Sequence, residues 1–212
     1  MRSALLALVP ALLGAQAAHH GARLPASFFA GNRARLMAQA KGLGPGTLIV
    51  AKSMPTQPSS GDGERPYRQD SDFYYLTGVE EEHAVALLDV EAGTYTLLVQ
   101  KRDLKREAWN GVRLGVEGAK AKGADVAVAF PEASKTLDEA LKKARTVVLV
   151  DNFDEPFRIQ VFDAVYPRGA AVWRPGAGKH LVDGRPWVAE MRVLKQPVEV
   201  EMIQRAVDAS IE

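Results

Sequence analysis

Two hydrophobic periods alternate along most of this chain. Phe29, Leu36, Met37 and Ala40 fall on one face of a helix predicted over residues 27–41, with Gly42 just beyond it as a stop. The run Thr47-Leu-Ile-Val-Ala is short and β-branched, as a buried strand is. Residues 53–66 are rich in Pro, Ser and Gly and predict a loop. Residues 83–89 and 94–100 then read as strands joined across Glu91-Ala92-Gly93, a natural hairpin. Two further strands, at 125–130 and 146–151, flank a helix whose Leu137, Ala140, Leu141 and Ala144 recur at i, i+3, i+4 and i+7. Thr136, with Glu139 three residues later, predicts a capping box at its start. Strand, helix, strand together with a hairpin defines an α/β class: a layered mixed β-sheet with flanking helices.

Composition narrows the function. With 212 residues, 47% of them hydrophobic, the chain can bury one good core and the beginning of a second. Its formal net charge of +1 supplies no field to hold nucleic acid or an anionic membrane, so neither is an expected partner. The absence of cysteine excludes disulfides, thiolate metal sites and a cysteine nucleophile. Arg2, the apolar residues 4–13 and Ala15-Gln16-Ala17 follow the pattern of a secretory signal peptide over residues 1–17. Export to a periplasm or the outside is the expectation, with a mature chain starting near Ala18 and no membrane attachment after cleavage.

The stretch YRQDSDFYYLTG, residues 67–78, places four aromatic residues among polar ones. Ser71 is expected to cap a short helical turn carrying Phe73, Tyr74 and Leu76, with Gly78 ending it in a left-handed conformation. Arg68, Gln69, Asp70 and Asp72 would tie that connector to flanking loops while its rings wedge beneath the sheet. Candidate metal ligands are sparse. His19, His20, His83 and His180 have no paired-ligand spacing. Asp151, Asp154 and Glu155 form the densest carboxylate group and Asp70 with Asp72 a second, both read as capping or solvated loops. The glycine-rich residues 42–46 precede a strand and are not a phosphate loop. Lys120, Lys122, Lys142, Lys143 and Arg145 are expected on solvated surface.

Three segments carry a resemblance. PYRQDSDFYYLTG at 66–78, RDLKREAWNGVRLG at 102–115 and RPWVAEMRVLKQPVEVEMIQRAVDAS at 185–210 resemble, in order and spacing, the N-terminal part of aminopeptidase P, the Xaa-Pro aminopeptidases. The resemblance implies a creatinase/aminopeptidase P N-terminal domain-like fold over residues 18–183. Residues 184–212 would be the junction and first helix of a pita-bread catalytic domain, the chain being truncated before the rest of it. Pro197 in the first turn, Glu199 and Glu201 near the positive end of the dipole, and Val200, Ile203, Val207 and Ile211 along one side make a good helix start with no matching end. In the family two divalent metal ions, usually manganese, hold a hydroxide that attacks the carbonyl before a proline. Their ligands, two aspartates, a histidine and two glutamates, lie downstream of the junction helix, so the 212-residue chain alone is expected to be inactive. The implied substrates are peptides with proline in the second position, and the implied assembly is a homo-oligomer. Trp109 is implied to project toward the active-site mouth of another subunit, and Tyr67 and Arg68 join it as candidate substrate-access residues. The other readings are a non-catalytic interaction or regulatory module and a prolidase- or creatinase-like relative.

Overall fold

The computed structural model describes residues 24–57, 59, 65–105, 107, 111–167 and 178–211. Residues 1–17, read as a signal peptide, and His19, His20 and Trp109 therefore lie outside the described residues. Ala26–Leu194 form one compact unit, and the helix at Pro197–Ile211 belongs to another. The first unit thus includes the residues directly after 183, up to Leu194.

Its centre is a six-stranded mixed sheet. In chain order the elements are α1 (Ala26–Ala40), β1 (Thr47–Lys52), α2 (Ser71–Thr77), β2 (Val85–Asp89), β3 (Thr94–Val99), α3 (Gly115–Ala121), β4 (Val126–Ala129), α4 (Glu132–Lys143), β5 (Thr146–Val150), β6 (His180–Asp183) and α6 (Arg185–Val193), with α5 (Glu155–Val165) between β5 and β6. The spatial order is β4-β3-β2-β1-β5-β6. Only β2 runs against its neighbours, pairing antiparallel with both β1 and β3. The hairpin between β2 and β3 closes on Gly93 at φ 66°, the left-handed conformation that glycine adopts without steric cost.

Every residue of β1 and of β5 is buried, which is why both read as near-continuous apolar runs: a strand in mid-sheet with helices on both sides is covered on both faces. On one face Leu48, Val50, Val147 and Leu149 meet Leu137 and Leu141 of α4 and Phe157, Val161 and Val165 of α5. The alternate residues Ile49 and Ala51 point the other way, as the two-residue period of a strand demands. On that side α1 packs against β1 and α2, and α3 against β3 and β4. Helix α6 is preceded by Gly184, where an added Cβ would fall 2.7 Å from Val148 and 2.8 Å from Val150, so only glycine lets the chain pass this close to β5.

Three local expectations are corrected. Helix α1 is not stopped by Gly42; it tightens into a 3-10 turn, Lys41–Leu43, and Gly44 supplies the positive φ, at 92°, that ends it. Helix α4 begins at Glu132 behind Pro131, so Thr136 lies inside it; its hydroxyl bonds back to the Glu132 carbonyl at 3.5 Å and caps nothing. Proline fixed the earlier start, because its ring holds φ near the helical value, here −85°. The cap of α2 is Asp70, not Ser71: Asp70 Oδ1 accepts from the amides of Asp72 and Phe73 at 3.1 and 2.9 Å. Helix α7, Pro197–Ile211, forms as the sequence predicts, with Val200, Ile203, Val207 and Ile211 on one side. Glu199 Oε2 reaches back to the Gln196 amide at 2.9 Å and satisfies a donor its first turn leaves open.

Candidate functional site

Residues 67–78 fold as a cap, a seven-residue helix and a left-handed stop at Gly78, φ 63°. A helix this short leaves most of its own carbonyls without partners. Neighbouring side chains satisfy them. Asn32 Nδ2 donates to the Tyr75 carbonyl at 2.9 Å and Arg33 to that of Leu76 at 2.9 Å, both from buried positions on α1. Lys122 donates to the Gly78 carbonyl at 2.6 Å, which corrects its expected place on solvated surface. Arg33 also lies over the Tyr95 ring, 4.0 Å from its centre, so burial of its guanidinium is offset by a π face as well as a carbonyl. The neutral bond from Asn32 is worth about 1 kcal/mol and those from the charged Arg33 and Lys122 about 1.5–3 kcal/mol, and removing a donor leaves a buried acceptor unsatisfied at about 1–3 kcal/mol.

The rings pack as the sequence implies. Phe73 is fully buried, and Phe28 meets both Phe29 and Tyr75 edge to face, with centres 5.3 Å apart in each pair. The polar residues bind the connector to its surroundings. Gln69 accepts from the Met54 amide at 2.7 Å and donates to the carbonyls of Val79 and Glu81 at 3.1 and 3.0 Å. Asn152 donates to Asp70 and Asp72 at 2.9 and 3.0 Å, and Arg192 of α6 pairs with Asp72. Tyr75 donates through its hydroxyl to the Met191 carbonyl at 3.1 Å. Thus residues 185–194 are fastened to the connector by an ion pair and a hydrogen bond that sequence separation of more than a hundred positions conceals.

Tyr67 and Arg68, two of the three substrate-access candidates, stand at the exposed entry of this connector. Tyr67 donates to the Met54 carbonyl at 3.0 Å, and burial of its ring, with the Glu82 charge, raises its phenol above the usual range. The described residues on either side of position 109 make polar contacts of their own. Before it, Arg102 forks onto the two oxygens of Glu107 at 3.0 and 2.9 Å. After it, Arg113 pairs with Glu82 at 2.9 Å and the Leu114 amide donates to Glu81 at 2.9 Å. Residues 80–82, directly after the connector, therefore anchor the far side of the tryptophan segment.

The carboxylate groups are occupied in the way their capping role requires. Asp151, buried, accepts from the Asp154 amide at 3.0 Å and pairs with Arg158 at 2.9 Å. Asp154 caps α5 through the Phe157 amide at 3.0 Å. Among the described residues no group of three or more histidine, aspartate or glutamate side chains is placed to hold a metal ion. The metal pair implied by the resemblance thus has no fitting ligand set among them.

Comparison with known proteins agrees with this architecture. The family model described as "Aminopeptidase P, N-terminal domain" matches residues 29–149. The Xaa-Pro aminopeptidase of Escherichia coli (strain K12) is 34% identical over 172 residues, covering 76% of this chain and 38% of that protein. The solved structure of aminopeptidase P from E. coli in its low pH form superposes with a TM-score of 0.75 at 33% identity, over 87% of this chain and 42% of that one. A zinc-substituted form of the E. coli enzyme in complex with product gives the same TM-score, 0.75, at 33% identity and the same coverage, 87% and 42%. This chain belongs to the aminopeptidase P family and contains its N-terminal domain. It spans about two fifths of the length of these relatives.

Proposed function

We propose that the complete protein is a metal-dependent Xaa-Pro aminopeptidase and that this domain shapes access to its active site. The activity would release the residue preceding proline at a peptide's free end, with divalent metal ions, manganese in the family's usual form, held by polypeptide beyond α7. The domain would contribute contacts between subunits, with Trp109, Tyr67 and Arg68 bordering the path of the substrate. The observation that carries this reading is the bracing of residues 102–115. Arg102 with Glu107 on one side, and Arg113 and Leu114 with Glu82 and Glu81 on the other, fix the backbone entering and leaving the segment that bears Trp109. Anchored flanks are what an aromatic side chain between them needs if it is to present a defined surface to a ligand. The E. coli relatives, named as aminopeptidases, share both the sequence and the fold of this region.

Kinetics of the complete protein test the role. Trp109→Ala is expected to raise KM for an Xaa-Pro peptide about tenfold while kcat changes less than about twofold, since the side chain would bind without touching the reacting atoms. Arg68→Ala is expected to act in the same direction with a smaller effect. Unchanged KM in both variants, with an unchanged fold by circular dichroism, would remove the access role.

A further inference from the structure

Five of the six strands run parallel, and a cleft of about 410 Å³ opens where four of them end. Lys52 closes β1, Gln100 follows β3, Phe130 follows β4, and Asp154 follows β5. The crevice at the carboxyl ends of such strands is where open α/β sheets bind ligands, and the volume lies within the range of small-molecule sites.

Lys52 is the unusual residue. Its side chain is only 6% exposed, and its Nζ makes no hydrogen bond among the described residues. The nearest counter-charge is Asp154 Oδ2 at 3.4 Å, and the Phe157 ring centre lies 5.6 Å away. An ammonium has three donors, and burying them unmade is costly. Burial accordingly lowers its pKa, with Asp154 opposing. Asp154 spends Oδ1 on the α5 cap and keeps Oδ2 turned to the lysine. The other carboxylates nearby are matched elsewhere, Asp151 by Arg158 and Glu82 by Arg113. The wall of the cleft therefore carries one cation, its Nζ just beneath the surface, and one carboxylate, each with hydrogen-bonding capacity to spare, beside the polar His83, Gln100, Ser134 and Gln160. Around the pair stand the apolar walls Val85, Phe130, Leu137 and Phe157.

We propose that this cleft binds a free apolar α-amino acid as its zwitterion, the carboxylate accepting from Lys52, the ammonium donating to Asp154, and the side chain packing against Phe130, Leu137 and Phe157. A simple anion would meet Lys52 but be repelled by Asp154, and a simple cation the reverse. A zwitterion satisfies both groups and adds no net charge to a buried place. The assignment does not depend on the peptidase reading, since all its residues lie in this domain.

Titration calorimetry of the 212-residue chain decides it, with L-phenylalanine, its desamino analogue 3-phenylpropionate and its uncharged-end analogue phenylalaninamide as probes. Phenylalanine is expected to bind saturably at one site per chain, and each single-charge analogue at least about tenfold more weakly. Lys52→Met, which keeps the length of the stem and removes the donors, is expected to lose phenylalanine binding by a similar factor. Equal binding of all three probes, or no saturable binding of phenylalanine, would leave Lys52 and Asp154 as a purely structural pair and overturn the proposal. Should Lys52→Met fail to fold, the wild-type comparison of the three probes still decides, and Leu137→Trp, which fills the cleft from α4, is expected to abolish phenylalanine binding.

Discussion

Glu81 shows what single residues contribute here. Its Oε1 accepts the Leu114 amide at 2.9 Å, while its Oε2 is buried and makes no hydrogen bond among the described residues. Burial raises its pKa above the ordinary carboxylate value, opposed by the Leu114 amide and the Arg113 charge. Because the folded form holds this proton more tightly than the unfolded chain, its contribution to stability is fully present below the unfolded pKa and is lost as pH rises through the folded one. Glu81→Gln keeps an oxygen for Leu114 and cannot ionise. Denaturant midpoints measured from pH 4 to pH 7 are therefore expected to show the wild type losing ground to Glu81→Gln as pH increases. A difference that stays constant across that range would mean the carboxyl ionises as freely as in the unfolded chain. The sequence offers no signal for this role, since three consecutive glutamates, 80–82, read as a solvated turn whichever of them is buried.

Among the elements, helix α2 depends most on others. Its stop at Gly78 is doubly restricted: φ is 63°, and an added Cβ would fall 2.6 Å from the Phe29 ring of α1. Gly93, at φ 66°, has open space where its Cβ would go. Gly93→Ala is therefore expected to cost about 1–2 kcal/mol, the conformational penalty alone, and Gly78→Ala distinctly more because Phe29 must also move. Thermal denaturation of both variants reads the difference, and equal losses would show that the α1 contact is soft. The elements themselves were legible where their signal was local. β1, β5 and α4 carried unbroken or periodic apolar runs, and Gly78 was readable as a stop. The caps were less so. Asp70 and Ser71 are both good N-cap residues, and the choice between them depends on Asn152, which holds Asp70 from across the fold at 2.9 Å. The buried Asn32 and Arg33 interrupt the apolar face of α1, and their purpose becomes visible only when the carbonyls of α2 are found beside them. Lys52 was unreadable for the same reason: a lysine at the end of an apolar run looks like a strand reaching solvent.

At the scale of the molecule, residues 67–82, the flanks of 102–115 and residues 185–194 all belong to one compact unit although they are tens of residues apart in the chain. Residues 67–78 fasten to α6 through Asp72 and Arg192, and residues 80–82 fasten to the segment ending at Gly115 through Arg113 and Leu114. Polar contacts thus tie residues 67–78 to α6 and the turn just after them to the 102–115 segment, whereas the apolar core between α4, α5 and the sheet is built from residues that any layered α/β domain would use. This division explains why the family was legible from three short motifs while the wider fold required only hydrophobic periodicity. We propose that this polypeptide supplies the framework of an Xaa-Pro aminopeptidase, with the hydrolytic groups carried elsewhere in the complete protein. Release of the first residue from an Xaa-Pro peptide in the presence of manganese, measured side by side for the folded 212-residue chain and the complete protein, tests it most directly. Turnover is expected from the complete protein alone; metal-dependent turnover by the 212-residue chain would place hydrolytic groups in this domain and overturn the proposal.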